Sequence, residues 1–64
     1  MDLYELKVGD KVKTVDGSVA EIIRVTADGK WILVRYIDVP DDERLVGTED
    51  LCSEDELKEV VVAP

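Results

Sequence analysis

Asp28-Gly29-Lys30-Trp31-Ile32-Leu33-Val34-Arg35-Tyr36 is the stretch on which the fold turns. An Asp-Gly pair opens it, and the residues after Lys30 are mostly β-branched, aromatic or aliphatic, the composition that suits a pleated strand. Arg35 then tells the two faces apart. A period of two puts Ile32, Val34 and Tyr36 on one side and Trp31, Leu33 and Arg35 on the other. Burying the second set would carry a guanidinium into an apolar interior with no partner in view, so Ile32, Val34 and Tyr36 are expected to face inward. That register leaves Trp31 and Leu33 on the outer face, beside Arg35.

The same dipeptide recurs upstream as Asp16-Gly17. Each pair is expected to be a two-residue hairpin turn, in which Asp and Gly both tolerate the positive φ that tight turns need. Residues 11–15, 18–27 and 30–38 then form three antiparallel strands. In the second of these, Ala20, Ile22 and Val25 depart from strict alternation, which predicts a bulge near Ile23-Arg24 that bends the strand. Downstream, residues 38–43 (Asp38-Val39-Pro40-Asp41-Asp42-Glu43) break the pattern. Pro40 cannot donate to a ladder and the acids favour solvent, so an acidic loop is expected there, with a short fourth strand over 44–47. Ser53-Glu54-Asp55-Glu56 has the form of a capping box, with the Ser53 hydroxyl accepting from the Glu56 amide and the Glu56 carboxylate accepting from the Ser53 amide. A helical turn over 53–59 follows, Leu57 packing on Cys52, and Val60-Val61-Val62 supplies a fifth strand.

Val8-Gly9-Asp10-Lys11-Val12, a hairpin, a long bent strand, the stretch from Asp28 to Tyr36, a short strand and a final turn together resemble the SH3-like small barrels grouped with Tudor and KOW modules. The resemblance covers the order of elements over residues 6–62. It implies an all-β, five-stranded SH3-like barrel with a short helical turn before the last strand, one domain spanning 1–64 with residues 1–6 as an N-terminal segment. Barrels of this kind bind peptides, methylated side chains or nucleic acids, so the resemblance implies binding without naming a ligand. Ala20 stands where KOW modules place a glycine of the second strand, which counts against RNA. Tyr4, Trp31 and Tyr36 are the only aromatics, too few outside the core for the cage with which Tudor-type readers hold a methylated cation. Arg44-Leu45-Val46-Gly47 shows nothing of the Val-Gln-Ile-Tyr motif found in the SH3-like reductase tetramers.

A chain of 64 residues builds one core at most and needs nearly every aliphatic side chain to do so. Its single cysteine, Cys52, has no partner for a disulfide, and with no histidine in the chain there is no zinc-ligand pattern. Cys52 is expected to be a buried hydrophobe. The acidic beginning Met1-Asp2-Leu3-Tyr4-Glu5 lacks the apolar stretch of a signal peptide and no run reaches membrane-spanning length, so a cytoplasmic protein that does not contact membrane is expected. Catalysis has little to work with: no imidazole, only Ser18 and Ser53 as serine hydroxyls, and carboxylates expected in solvent. Neither acidic stretch has the spacing of a calcium loop. No enzyme activity, cofactor or metal is expected.

The net charge of −8 is unevenly placed. Residues 1–37 carry six acids and six bases, whereas residues 38–64 carry ten acids against Arg44 and Lys58. Such a surface repels phosphate, so direct nucleic-acid binding is disfavoured and a basic protein partner fits better. Three functional readings follow. In the first, the chain is a protein-interaction module in which Trp31, Leu33, Arg35 and Tyr4 form the contact and Asp41, Asp42 and Glu43 belong to the acidic half that steers a basic partner. The second is a nucleic-acid mimic whose carboxylates occupy the basic groove of a DNA-binding protein. The third is a self-associating barrel joined through Trp31 and Leu33. Against all three stands a plain alternative, that Leu3-Tyr4-Glu5-Leu6 folds back over Trp31 and Leu33 and covers them.

Overall fold

The structure, a computed structural model, describes residues 6–61. Five strands form one antiparallel sheet: β1 (Lys11–Thr14), β2 (Val19–Val25), β3 (Trp31–Asp38), β4 (Glu49–Ser53) and β5 (Leu57–Val61). Their order across the sheet is β4-β3-β2-β1-β5, so among the described residues the sheet is not closed and β4 and β5 are its edges. The only helical elements among the described residues are two short 3-10 turns, Glu43–Leu45 and Glu54–Glu56. No helix of the described residues is long and apolar enough to cross a membrane.

The expected faces of β3 are the observed ones. Ile32 and Val34 are fully buried, and they join Leu6, Val12, Ala20, Ile22, Cys52 and Leu57 in one cluster that draws on every strand. Tyr36 is half-buried and packs against that cluster from the end of the row. The bulge in β2 is also where alternation failed. Ile22 pairs with Val34 and Arg24 with Leu33, so Ile23 has no residue of its own opposite. Two further slips leave Ile37 extra on β3 and Lys58 extra on β5. Each inserted residue bends its strand and increases the local twist.

The two Asp-Gly hairpins exist but are longer than expected, and only glycine takes the positive φ. Thr14 N–H donates to Ser18 O at 2.8 Å and Gly17 N–H to Thr14 O at 3.0 Å, leaving a three-residue loop. Thr26 N–H donates to Trp31 O at 3.0 Å and Gly29 N–H to Thr26 O at 2.9 Å, leaving a four-residue loop. Gly17 has φ 90° and Gly29 φ 69°, whereas no described non-glycine residue has positive φ. The reason is a Thr-x-Asp-Gly unit present twice. In each, the threonine hydroxyl donates to the aspartate, Thr14 to Asp16 and Thr26 to Asp28. The same carboxylate accepts the amide of the residue after glycine, from Ser18 at 3.3 Å and from Lys30 at 3.0 Å. The aspartate thus holds the turn through its side chain, and glycine alone reverses the backbone.

Two expectations are corrected. Residues 44–47 are not a strand: Asp42 caps the Glu43–Leu45 turn, its carboxylate accepting from Arg44 N–H at 3.1 Å, and Gly47 follows with φ 87°. The chain rejoins β3 at Gly47 and Thr48, where Gly47 N–H donates to Tyr36 O at 2.8 Å and Tyr36 N–H to Thr48 O at 2.9 Å, and the fourth strand lies downstream, at Glu49–Ser53. The capping box is not formed either, since the Ser53 side chain makes no capping bond. Leu57 N–H closes a single 3-10 turn on Glu54 O, and Val15 N–H takes Glu56 O at 2.9 Å, which draws the chain into pairing with β1. The fifth strand therefore starts at Leu57, and Val62 lies outside the described residues. Leu57 and Cys52 are both in the core, as expected.

A candidate binding face on the outer side of β2, β3 and β4

Side chains that point away from the core line up in rows set by the strand register. One row runs Lys11, Glu21, Arg35, Glu49 across β1, β2, β3 and β4, with the sign of charge alternating at each step. Its end is an ion pair, Arg35 Nη2 to Glu49 Oε2 at 2.9 Å. Opposite charges directly across a ladder stabilise the pairing. Arg35, read from sequence as a contact residue, is thus placed as a tie between β3 and β4, with its side chain still half-exposed.

The adjacent row is Arg24, Leu33, Leu51, and beyond it Trp31 stands opposite Ser53. Trp31 is 43% exposed and Leu51 52%, while Leu33 between them and the bulged Ile23 beside them are partly covered. The result is an apolar strip over β3 and β4 that ends at Trp31. Trp31 and Leu33 come together as expected. Leu51 was missed, because the fourth strand was expected elsewhere; the alternation of Glu49-Asp50-Leu51-Cys52-Ser53 about a buried Cys52 is the signal that marks it. Tyr4, and with it the proposed cover of residues 3–5, lies outside the described residues, whereas Leu6 is buried in the core.

The acids divide into two groups. Asp41, Asp42 and Glu43 follow the far end of β3, seven residues from Trp31, a separation of roughly 20 Å along an extended strand. Asp42 is moreover engaged, receiving Arg44 Nε at 3.0 Å and Nη2 at 3.3 Å; these bonds and the Arg44 amide hold its carboxyl below the ordinary value. Asp41 and Glu43 are exposed. The carboxylates that register and sequence place beside the strip are instead Glu49, two residues from Leu51 on the same face, and Glu54 and Asp55, which directly follow Ser53, the residue opposite Trp31.

On the inner side of β4, Asp50 accepts from Tyr36 Oη at 3.2 Å and, through its other oxygen, from Leu51 N–H at 2.9 Å. Burial pushes the Tyr36 phenol upward, and the neighbouring Cys52 and Asp50 add to the shift. Cys52 is 1% exposed, and burial followed by the Glu56 carboxylate pushes its thiol up to about 12. A thiol so placed stays protonated and unreactive. Among the described residues no group of three or more His, Cys, Asp or Glu side chains is arranged to hold a metal ion. Compared with known proteins, the chain matches no family model, no curated protein and no solved structure.

Proposed function

We propose that this chain is a non-catalytic protein-interaction module whose contact is the strip Trp31, Leu33 and Leu51, with a basic partner drawn in by the carboxylates of its second half. The observation that carries the reading is the exposure of Trp31 and Leu51 on one face of the sheet while smaller aliphatics such as Val12 and Val34 are fully buried. In a chain this short an aromatic is valuable to the core, so its place outside it needs a reason. Aromatics at the centre of a small apolar patch are the usual anchors of an interface. The excess of negative charge lies in the half that contributes β4, where Glu49, Glu54 and Asp55 border the strip and favour a partner of opposite sign.

We propose further that the sheet curls into an SH3-like barrel. The order β5-β1-β2-β3-β4 and the bulge at Ile23, midway along the strand shared by both halves of the sheet, support that architecture.

The test uses Trp31→Ala and Leu51→Ala beside the parent chain, immobilised and presented with cell extract. A partner retained by the parent and weakened by about 2 kcal/mol or more in Trp31→Ala, with association slowed by added salt, supports the reading. A partner bound equally by all three chains removes it. Emission of Trp31 through a dilution series separates the self-associating alternative: water-exposed emission at every concentration fits a free face, and emission that reddens only on dilution assigns the cover to a second copy.

A further inference from the structure

The edge that β4 leaves open among the described residues has a composition unlike that of any other part of the sheet. Residues 45–57 contain five acids, Glu49, Asp50, Glu54, Asp55 and Glu56, and no lysine or arginine. In an antiparallel ladder alternate residues turn their backbone groups toward the neighbour and away from it. Tyr36 N–H donates to Thr48 O and Gly47 N–H to Tyr36 O, so Asp50 and Cys52 face β3, and Glu49, Leu51 and Ser53 turn theirs to the open edge. The bond from Leu51 N–H to the side chain of Asp50 agrees, since an amide engaged with β3 would not be available to it. Asp50 therefore closes the edge at its central donor, and Tyr36 Oη steadies the carboxylate that does so. Unpaired edges invite any extended chain, and a side chain laid over the amide is one way to refuse most of them.

We infer that the β4 edge accepts one kind of occupant, an extended basic segment of a partner protein, whose Lys or Arg draws the Asp50 carboxylate off Leu51 N–H and frees that amide to pair with the incoming strand. The inference rests on the interaction-module reading and specifies how the partner arrives. Charge selects the occupant: a strand carrying cations meets Glu49 and Asp50 favourably, whereas β4 of a second copy brings two further acids and no cation to the same edge. Leu51 turns its side chain to the outer strip while its backbone lies on the edge, so one occupant reaches both.

The experiment measures amide hydrogen exchange at Leu51 by NMR on the full chain, with the blocked peptide Val-Lys-Val-Lys-Val-Lys-Val as probe and its glutamate counterpart as control. Exchange at Leu51 is expected to slow by about tenfold or more with the lysine peptide and to be unchanged with the glutamate peptide. Asp50→Lys is expected to reverse that preference. Unchanged Leu51 exchange while the lysine peptide shifts Trp31 emission overturns the edge inference and leaves the face reading standing. Protection of the residue-51 amide that Trp31→Ala and Leu51→Ala do not weaken upholds the edge and sinks the face. Protection that rises with protein concentration in the absence of peptide assigns the edge to a second copy and overturns the inference.

Discussion

Cys52 sits on an edge strand yet is 1% exposed, and this makes it a probe of whether β4 is held as firmly as the structure implies. The perturbation is a thiol-reactive disulfide reagent added to the native chain. With the thiol pushed up to about 12, the thiolate fraction at pH 8 is about one in ten thousand, against roughly a quarter for a free thiol of ordinary pKa near 8.5. That difference alone slows labelling of the folded state by more than three orders of magnitude, and burial against Ile32 and Leu57 slows it further. Reaction through transient opening then competes with direct attack. For a chain of this length the global opening free energy is expected at about 3–10 kcal/mol, which sets labelling roughly two to seven orders below the unfolded rate.

The pH profile identifies the route. Labelling through opening follows the thiolate fraction of the unfolded chain and levels off above about pH 9, whereas attack by a native thiolate keeps rising tenfold per pH unit toward 12. The assay is the pseudo-first-order labelling rate from pH 7 to 10, compared with the opening free energy from urea unfolding. A native rate within a few-fold of the unfolded one would refute the placement of Cys52 in the core and with it the register of β4. A rate that levels off but exceeds the global value would show β4 opening on its own.

Ile22→Ala removes a fully buried side chain from the middle of the cluster and is expected to cost about 2–5 kcal/mol, enough to leave much of the chain unfolded at room temperature by circular dichroism. Asp16, Asp28 and Asp42 have carboxyls held below the ordinary 3.8, chiefly by the hydroxyls of Thr14 and Thr26 and by Arg44 respectively. Groups with lowered folded pKa contribute stability that is present above the ordinary value and lost as pH falls through the folded ones, so the urea midpoint should drop below pH 4, less steeply in Thr26→Val. Arg35→Gln breaks an exposed pair with Glu49 and is expected to cost less than about 1 kcal/mol, read as a shift in thermal midpoint that shrinks in high salt.

Much of the fold was legible because Arg35 is costly to bury. One charged residue in an apolar run fixed which of Ile32, Val34, Trp31 and Leu33 faces inward, and the departure of Ala20, Ile22 and Val25 from strict alternation marked the bulge. The hairpins were legible in place but not in length. Asp-Gly indicates a turn whether the aspartate enters the left-handed region or holds the loop through its carboxylate, and the choice lies with Thr14 and Thr26, two residues upstream of each aspartate. The second half was harder, because local preference and tertiary pairing disagree there. Ser53 to Glu56 has the residues of a capping box, but the pull of Val15 N–H on Glu56 O ends the turn after three residues.

The same disagreement hid part of the candidate site. Leu45-Val46 has the apolar side chains of a strand, yet Asp42 can cap the turn before it and Gly47 reverses the chain after it, so its backbone cannot enter the ladder. Pairing starts at the glycine, whose N–H donates to Tyr36 O, and runs on into a segment whose acids disfavour a strand by composition. What holds Glu49–Ser53 there is long-range: Arg35 across from Glu49, Tyr36 Oη on Asp50, and the inward Cys52 opposite Ile32. Those ties place Leu51 in the outer strip and leave its amide on the edge. An acidic strand with one outward leucine costs stability as an edge and is retained only where its neighbours compensate, which is why the binding proposal and the misplacement of the fourth strand concern the same five residues.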